Sequence, residues 1–260
     1  MELTSDSIRH YREQGYLVVE NLFTPNECQE INRHAEDVVM GRIPLPDRTG
    51  IWMEPAAEER ELVKENNRYD YLFKIGHQMH ITDPVFQRYA VHPRLADILE
   101  ALIGPDIKCV QSMYIDKPRE IGIGQPYHQD AWYLKTDPDT LIAAWIACDD
   151  ADLDNGCLHV ISGSQNDPIH PHEKPIDPAQ RSYAEVHSAR SRPEVAVPLK
   201  TGSAVFFGGH VLHRSGNNRS NRKRRSYVLH YADAKSKWLN DPKAKNPFLL
   251  VRGKEYPGCL

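Results

Sequence analysis

The 260-residue chain is poor in cysteine: Cys28, Cys109, Cys148, Cys157 and Cys259 are five, an odd number, and no two form a Cys-x-x-Cys pair. That excludes a zinc knuckle and a disulfide framework and fits reduced thiols. No apolar run approaches the ~18 residues of a membrane span, and the N-terminus has no apolar leader, so neither a membrane nor a secretory route is expected. Cys259 stands second from the end, which rules out a prenylation box. Charge of one sign is also lacking: 32 basic against 36 acidic residues leave a net −4, which argues against a dedicated nucleic-acid binder. Gly-x-Ser-x-Gly is missing, and Gly163-Ser164 does not supply its frame, so a hydrolase using a His128–Asp130 dyad is not supported. A cytoplasmic protein is expected; nothing in the sequence sets its oligomeric state.

What is present changes character along the chain. Residues 4–14 have a Ser/Asp cap and end at Gly15, which predicts a short helix, and 16–20 predict a strand. Thr24-Pro25-Asn26-Glu27 opens a helix running to about Met40. Residues 41–60, with Pro44, Pro46, Gly50 and Pro55, predict an irregular loop. After a helix from His92 to Gly104, short strands follow over 107–115, 126–133, 140–147, 157–161, 194–199, 203–207 and 226–231. Such runs between turn residues predict a mainly β fold with flanking helices, a sandwich or jelly roll. A single domain over 1–260 is expected, with a helical N-terminal part (about 1–105) packed on a β core (about 106–235). The Pro/His-rich segment 164–193 is long for a loop; its His170 and His172 are expected to be solvated.

The chemistry centres on Tyr127-His128-Gln129-Asp130-Ala131-Trp132. Strand alternation puts His128 and Asp130 on one face, an imidazole and a carboxylate that match two ligands of a 2-His-1-carboxylate iron site. A third ligand has two candidates, His210 and His213, beside a turn after the apolar run 204–207. On the strand that follows, alternation places Arg224 with Ser226, Val228 and His230, and Arg225 with Tyr227 and Leu229. An inward arginine is costly unless an anion pairs with it, and a dicarboxylate cosubstrate would be such an anion.

Taken in order, His128-Gln129-Asp130, Trp145, Asn155-Gly156-Cys157-Leu158, Ser162-Gly163-Ser164, His213-Arg214-Ser215-Gly216-Asn217 and Arg224 resemble the phytanoyl-CoA dioxygenase family, from about Lys74 to Tyr231. The resemblance implies a double-stranded β-helix (jelly roll) and an Fe(II)- and 2-oxoglutarate-dependent dioxygenase using O2. It implies His128, Asp130 and His213, rather than His210, as metal ligands. By the same resemblance Arg224 grips the far carboxylate of 2-oxoglutarate with Ser215 beside it, and Lys74, Met113 and Trp145 line the cosubstrate pocket. Trp132 and Tyr133 are expected on the substrate side. Because Asp130 is present, where related halogenases have a small residue, hydroxylation of a small organic molecule is expected, with release of succinate and CO2. The alternatives are an acyl-CoA 2-hydroxylase of the phytanoyl-CoA type, against which the lack of a peroxisomal tail and of a CoA-phosphate site weighs, and a non-catalytic metal-binding jelly roll.

Overall fold

The computed structural model describes residues 3–240 and 248–260. Helix α1 (Ser5–Gln14) begins where the Thr4 side chain accepts from the Ser7 N–H and ends at Gly15, whose φ of 84° suits glycine. Strand β1 (Tyr16–Val19) follows, then α2 (Pro25–Val39), opened by a capping box between Thr24 and Glu27. The stretch expected to be an irregular loop instead holds β2 (Thr49–Met53) and α3 (Pro55–Glu59). The reason is tertiary: β2 pairs in register with β3 (Leu72–His77), and that edge supplies hydrogen bonds no local pattern announces. Helices α4 (Met79–Thr82), α5 (Pro84–Ala90) and α6 (Pro93–Ile103) lead into the remaining strands.

These are β4 (Ile107–Lys117), β5 (Gln125–His128), β6 (Thr136–Asp137), β7 (Ile142–Ala147), β8 (Leu158–Val160), β9 (Val195–Val197), β10 (Ala204–Gly208), β11 (His213–Ser215), β12 (Arg224–Asp233), β13 (Lys237–Trp238) and β14 (Leu249–Arg252). The strand expected over 126–133 stops at His128. Gln129 stays extended, and Asp130–Tyr133 form a helical turn, α7. The pairs are all antiparallel, as a jelly roll requires: a large sheet ordered β1-β10-β7-β12-β4-β3-β2, with β14 also on β4, and a smaller one ordered β5-β11-β8-β9. Three strands of the large sheet come from the first 105 residues: β1, where a strand was expected, and β2 and β3, which were not expected in that helical part.

Alternation sorts each central strand onto two cores. Ile142, Ala144 and Ile146 of β7, with Tyr227, Leu229 and Tyr231 of β12, pack against α2, α5 and α6 in one cluster. Their neighbours Ala143, Trp145, Ala147 and Val228 pack with Leu158, Val160 and Val197 of the small sheet. Tyrosine hydroxyls fasten the helices: Tyr227 donates to the Phe86 carbonyl and Tyr231 to the Ala90 carbonyl, each at 2.8 Å.

Near the site the backbones of two motifs touch. Gly156 has φ +85°, and a Cβ there would lie 2.3 Å from the Gly216 carbonyl oxygen. Positive φ and a backbone clash together predict that Gly156→Ala lowers stability by roughly 2 kcal/mol or more. Denaturant titration reads this directly; a loss under about 0.5 kcal/mol, the scale of ordinary surface substitutions, would contradict it.

Candidate metal centre

His128 ends β5, His213 begins β11, and the two are register partners across the small sheet. Their ring centroids lie 4.1 Å apart. Each imidazole is locked by its own chain: His128 Nδ1 donates to the Pro126 carbonyl (2.8 Å) and His213 Nδ1 to the Val211 carbonyl (3.0 Å). That leaves both Nε2 lone pairs free, and they converge on one oxygen of Asp130, with Oδ1 3.6 Å from His128 Nε2 and 3.7 Å from His213 Nε2. Because α7 starts at Asp130 after an extended Gln129, the carboxylate still lies on the His128 side, although not as part of the strand.

The three side chains are only 12, 10 and 6% exposed, and their ligand atoms lie within 4.8 Å of one another. Burial first, then the neighbouring His213, pushes the His128 pKa down to about 3, so the ring is neutral and able to donate its lone pair. Burial alone would raise Asp130, but His213 and His230 more than offset it and hold the carboxyl below its ordinary range. Two imidazoles whose Nδ1 atoms are tied to carbonyls and an ionised carboxylate on one side of a small volume fit a divalent iron with further positions free. His210 does not join them: its Nε2 contacts Asp139 Oδ2 at 2.8 Å and its Nδ1 donates to the Asp167 carbonyl.

Arg224 lies on the same inner face of β12 as Val228 and is 2% exposed. Nη1 donates to Ser226 Oγ at 2.9 Å, and the guanidinium sits 5.1 Å from the Trp145 ring centroid. Nε has no partner among the described residues, and burial pushes the pKa down to about 10. A buried guanidinium facing a ring and a hydroxyl, with no ion pair to a carboxylate among the described residues, fits the far carboxylate of a dicarboxylate. Ser215 Oγ accepts from the Gln125 N–H (3.2 Å), so it is Ser226, not Ser215, that bonds Arg224 here. Met113 pairs with Val228 and with Gly76 of β3. Lys74 pairs with Ile115, which also pairs with Ser226; its Nζ is 3.3 Å from His77 Nε2 and 4.7 Å from the Trp52 ring centroid, with its pKa lowered by burial to about 8.

Trp132 and Tyr133 lie edge to face on α7, 4.6 Å between centroids, with Tyr133 6.1 Å from His128. The segment 164–193 packs on them, leaving Tyr133 37% exposed. His172 stacks on Trp132 at 4.7 Å and its Nε2 accepts from the Gln129 N–H, while the Tyr133 hydroxyl accepts from the Ala184 N–H. His170 and His172 are half-buried, not solvated as expected, because Gln129 reaches across: its Oε1 accepts from the His170 N–H and its Nε2 donates to the Pro168 and His210 carbonyls.

Four residues near the site carry no sequence expectation: His230, Lys117, Glu54 and Tyr183. His230 alone had a local signal, through its shared strand face with Arg224. Lys117, the register partner of Arg224, donates to the Ile123 and Gly216 carbonyls, both at 2.6 Å. Glu54 is fully buried with Oε1 unpartnered, and burial raises its pKa to about 7, only partly offset by the Ile123 N–H and Lys117.

Sequence comparison agrees with this geometry. The phytanoyl-CoA dioxygenase (PhyH) family profile matches residues 11–226. The chain belongs to the phytanoyl-CoA dioxygenase family. Among similar relatives, phytanoyl-CoA dioxygenase domain-containing protein 1 of Danio rerio is 30% identical, covering 90% of this chain and 91% of its own. The peroxisomal phytanoyl-CoA dioxygenase of Rattus norvegicus is 27% identical over 92% of this chain and 71% of its own. Solved structures share the jelly roll at low identity. EctD from S. alaskensis with bound Fe has a TM-score of 0.73, is 20% identical and covers 98% of this chain and 88% of that one. The epimerase SnoN, in complex with Fe3+, alpha ketoglutarate and nogalamycin RO, has 0.71, 20%, 95% and 98%. No helix among the described residues is long and apolar enough to cross a membrane.

Glu54 gives a pH test. Folded, its carboxyl holds a proton up to about 7; unfolded, it loses it near 4.5. The folded pKa is raised, so the native state binds the extra proton between those values and stability falls as pH rises through that window. Chemical denaturation should therefore show wild type losing stability relative to Glu54→Gln from pH 5 to 7, by at most ~1.4 kcal/mol per unit. Parallel profiles for the two proteins would refute the assignment.

Proposed function

We propose that this chain is an Fe(II)- and 2-oxoglutarate-dependent dioxygenase that hydroxylates a small organic molecule. The observation that carries the reading is the pairing of a convergent His128–Asp130–His213 donor set with Arg224, a buried cation that forms no ion pair with a carboxylate among the described residues. In this reading His128, Asp130 and His213 hold iron, and Arg224 with Ser226 receives the far carboxylate of 2-oxoglutarate against the Trp145 ring. Ser215, Met113 and Lys74 line the same pocket.

When bound, iron with 2-oxoglutarate and O2 supplies the oxidising power, and the cosubstrate leaves as succinate and CO2. The chain's own work is positional. The Pro126 and Val211 carbonyls fix which imidazole nitrogens face inward. Arg224 orients the cosubstrate by charge in a site from which water is largely excluded. Trp132, Tyr133 and the covering His172 form an aromatic wall beside His128, suited to hold an apolar part of a substrate next to the metal site.

Substitution separates these roles. Asp130→Ala and His213→Ala should each abolish Fe(II)-dependent formation of succinate from 2-oxoglutarate, by more than about 100-fold, as expected when a ligand is removed. His210→Ala should retain most of it; the reverse order would overturn the triad. Arg224→Ala should raise the 2-oxoglutarate concentration needed for half-maximal rate by roughly 10- to 100-fold, the scale of a lost charge-assisted contact. An unchanged requirement would remove Arg224 as the anchor.

A further inference from the structure

One imidazole at the centre touches Asp130 from the side opposite to His128 and His213. His230, 2% exposed on β12, places Nε2 3.1 Å from Asp130 Oδ2, while Oδ1 is the oxygen that faces the other two rings. The two carboxylate oxygens therefore have different partners. An ionised carboxylate only accepts, so Nε2 carries the proton. Nδ1 is buried and without a partner among the described residues. An apolar residue would pack in this sheet without that unmet polar atom, so packing does not account for an imidazole here.

We propose that His230 is a positioning residue that occupies Oδ2 and keeps Asp130 a one-oxygen ligand. The consequence concerns how many positions a metal retains. A carboxylate free to turn could present both oxygens and take up one of the sites that cosubstrate and O2 require. With Oδ2 engaged, Asp130 can swing toward two-oxygen binding only by breaking a charge-assisted hydrogen bond. His230 also lies on the Arg224 face of β12, so one strand both anchors the charge at the far end of the pocket and sets the carboxylate at the near end.

This inference rests on the reading of His128, Asp130 and His213 as a metal site, and the test separates the two. Anaerobic Co(II) titration, followed by calorimetry and by visible absorption, is run on wild type, His230→Phe and His230→Gln. Wild type should bind one Co(II). His230→Phe should bind it 10- to 100-fold more weakly, the range for lost partners of a ligand, with a changed visible spectrum. His230→Gln, which restores an N–H donor, should recover most of the affinity and the wild-type spectrum. A purely structural role would move the melting temperature and leave the spectrum alone. Independently of any variant, the 15N histidine spectrum of the metal-free wild type should place the His230 proton on Nε2. A wild type that binds no Co(II) overturns the site reading and this inference with it. Wild-type binding with His230→Phe unchanged, or with His230→Gln as impaired as His230→Phe, or a proton on Nδ1, overturns this inference alone.

Discussion

The site depends on one cross-strand pair. His128 and His213 stand opposite each other where β5 meets β11, although 85 positions separate them in the chain. Side chains on a strand alternate, so a slip of one residue in this register would turn His213 out of the site and bring Leu212 or Arg214 in. The register is secured on the far side of β11 as well, where His213, Arg214 and Ser215 pair with Val160, His159 and Leu158. Gly156 lets the loop before β8 pass within contact of Gly216, just after β11. A short three-residue strand is thus held from both edges and from its end.

Burial of charge is the second constraint, and it is handled differently at the two ends of the pocket. At the metal end Asp130 Oδ2 accepts from His230 Nε2, while Oδ1 faces the lone pairs of His128 and His213. At the far end Arg224 and its register partner Lys117 are buried, and so is Glu54, whose pKa burial raises to about 7. Arg225, next along the strand, points the other way and is satisfied by Asp149 through Nε and Nη2 at 2.6 and 2.7 Å. Adjacent arginines thus meet opposite fates because alternation sends one to an acid and the other to a pocket.

Solved neighbours of this fold include an epimerase and a carbocyclase, both named as alpha ketoglutarate dependent. A shared jelly roll therefore does not by itself fix the reaction. Here the wall beside His128 comes from a four-residue helical turn and from the segment 164–193, joined through Gln129. The middle residue of His-Gln-Asp is not a spacer: its side chain makes three hydrogen bonds that seat the covering segment beside the metal site.

By itself the sequence determined the class of fold, the His-x-Asp and distal His pair, and the inward arginine, because period-two alternation and motif order are local and survive without coordinates. Alternation alone also put Ser226 and His230 on the Arg224 face. It could not choose between His210 and His213; family resemblance made that choice, and the ion pair of His210 with Asp139 is its physical counterpart. Only the tertiary structure decided the rest. The strand β2 exists because β3 offers it an edge, Glu54 and Lys117 matter because distant strands bury them together, and His172 leaves solvent because Gln129 captures it. Each of these depends on a partner far away in the chain, and pairing across such distances is set by packing and register rather than by any neighbouring residue.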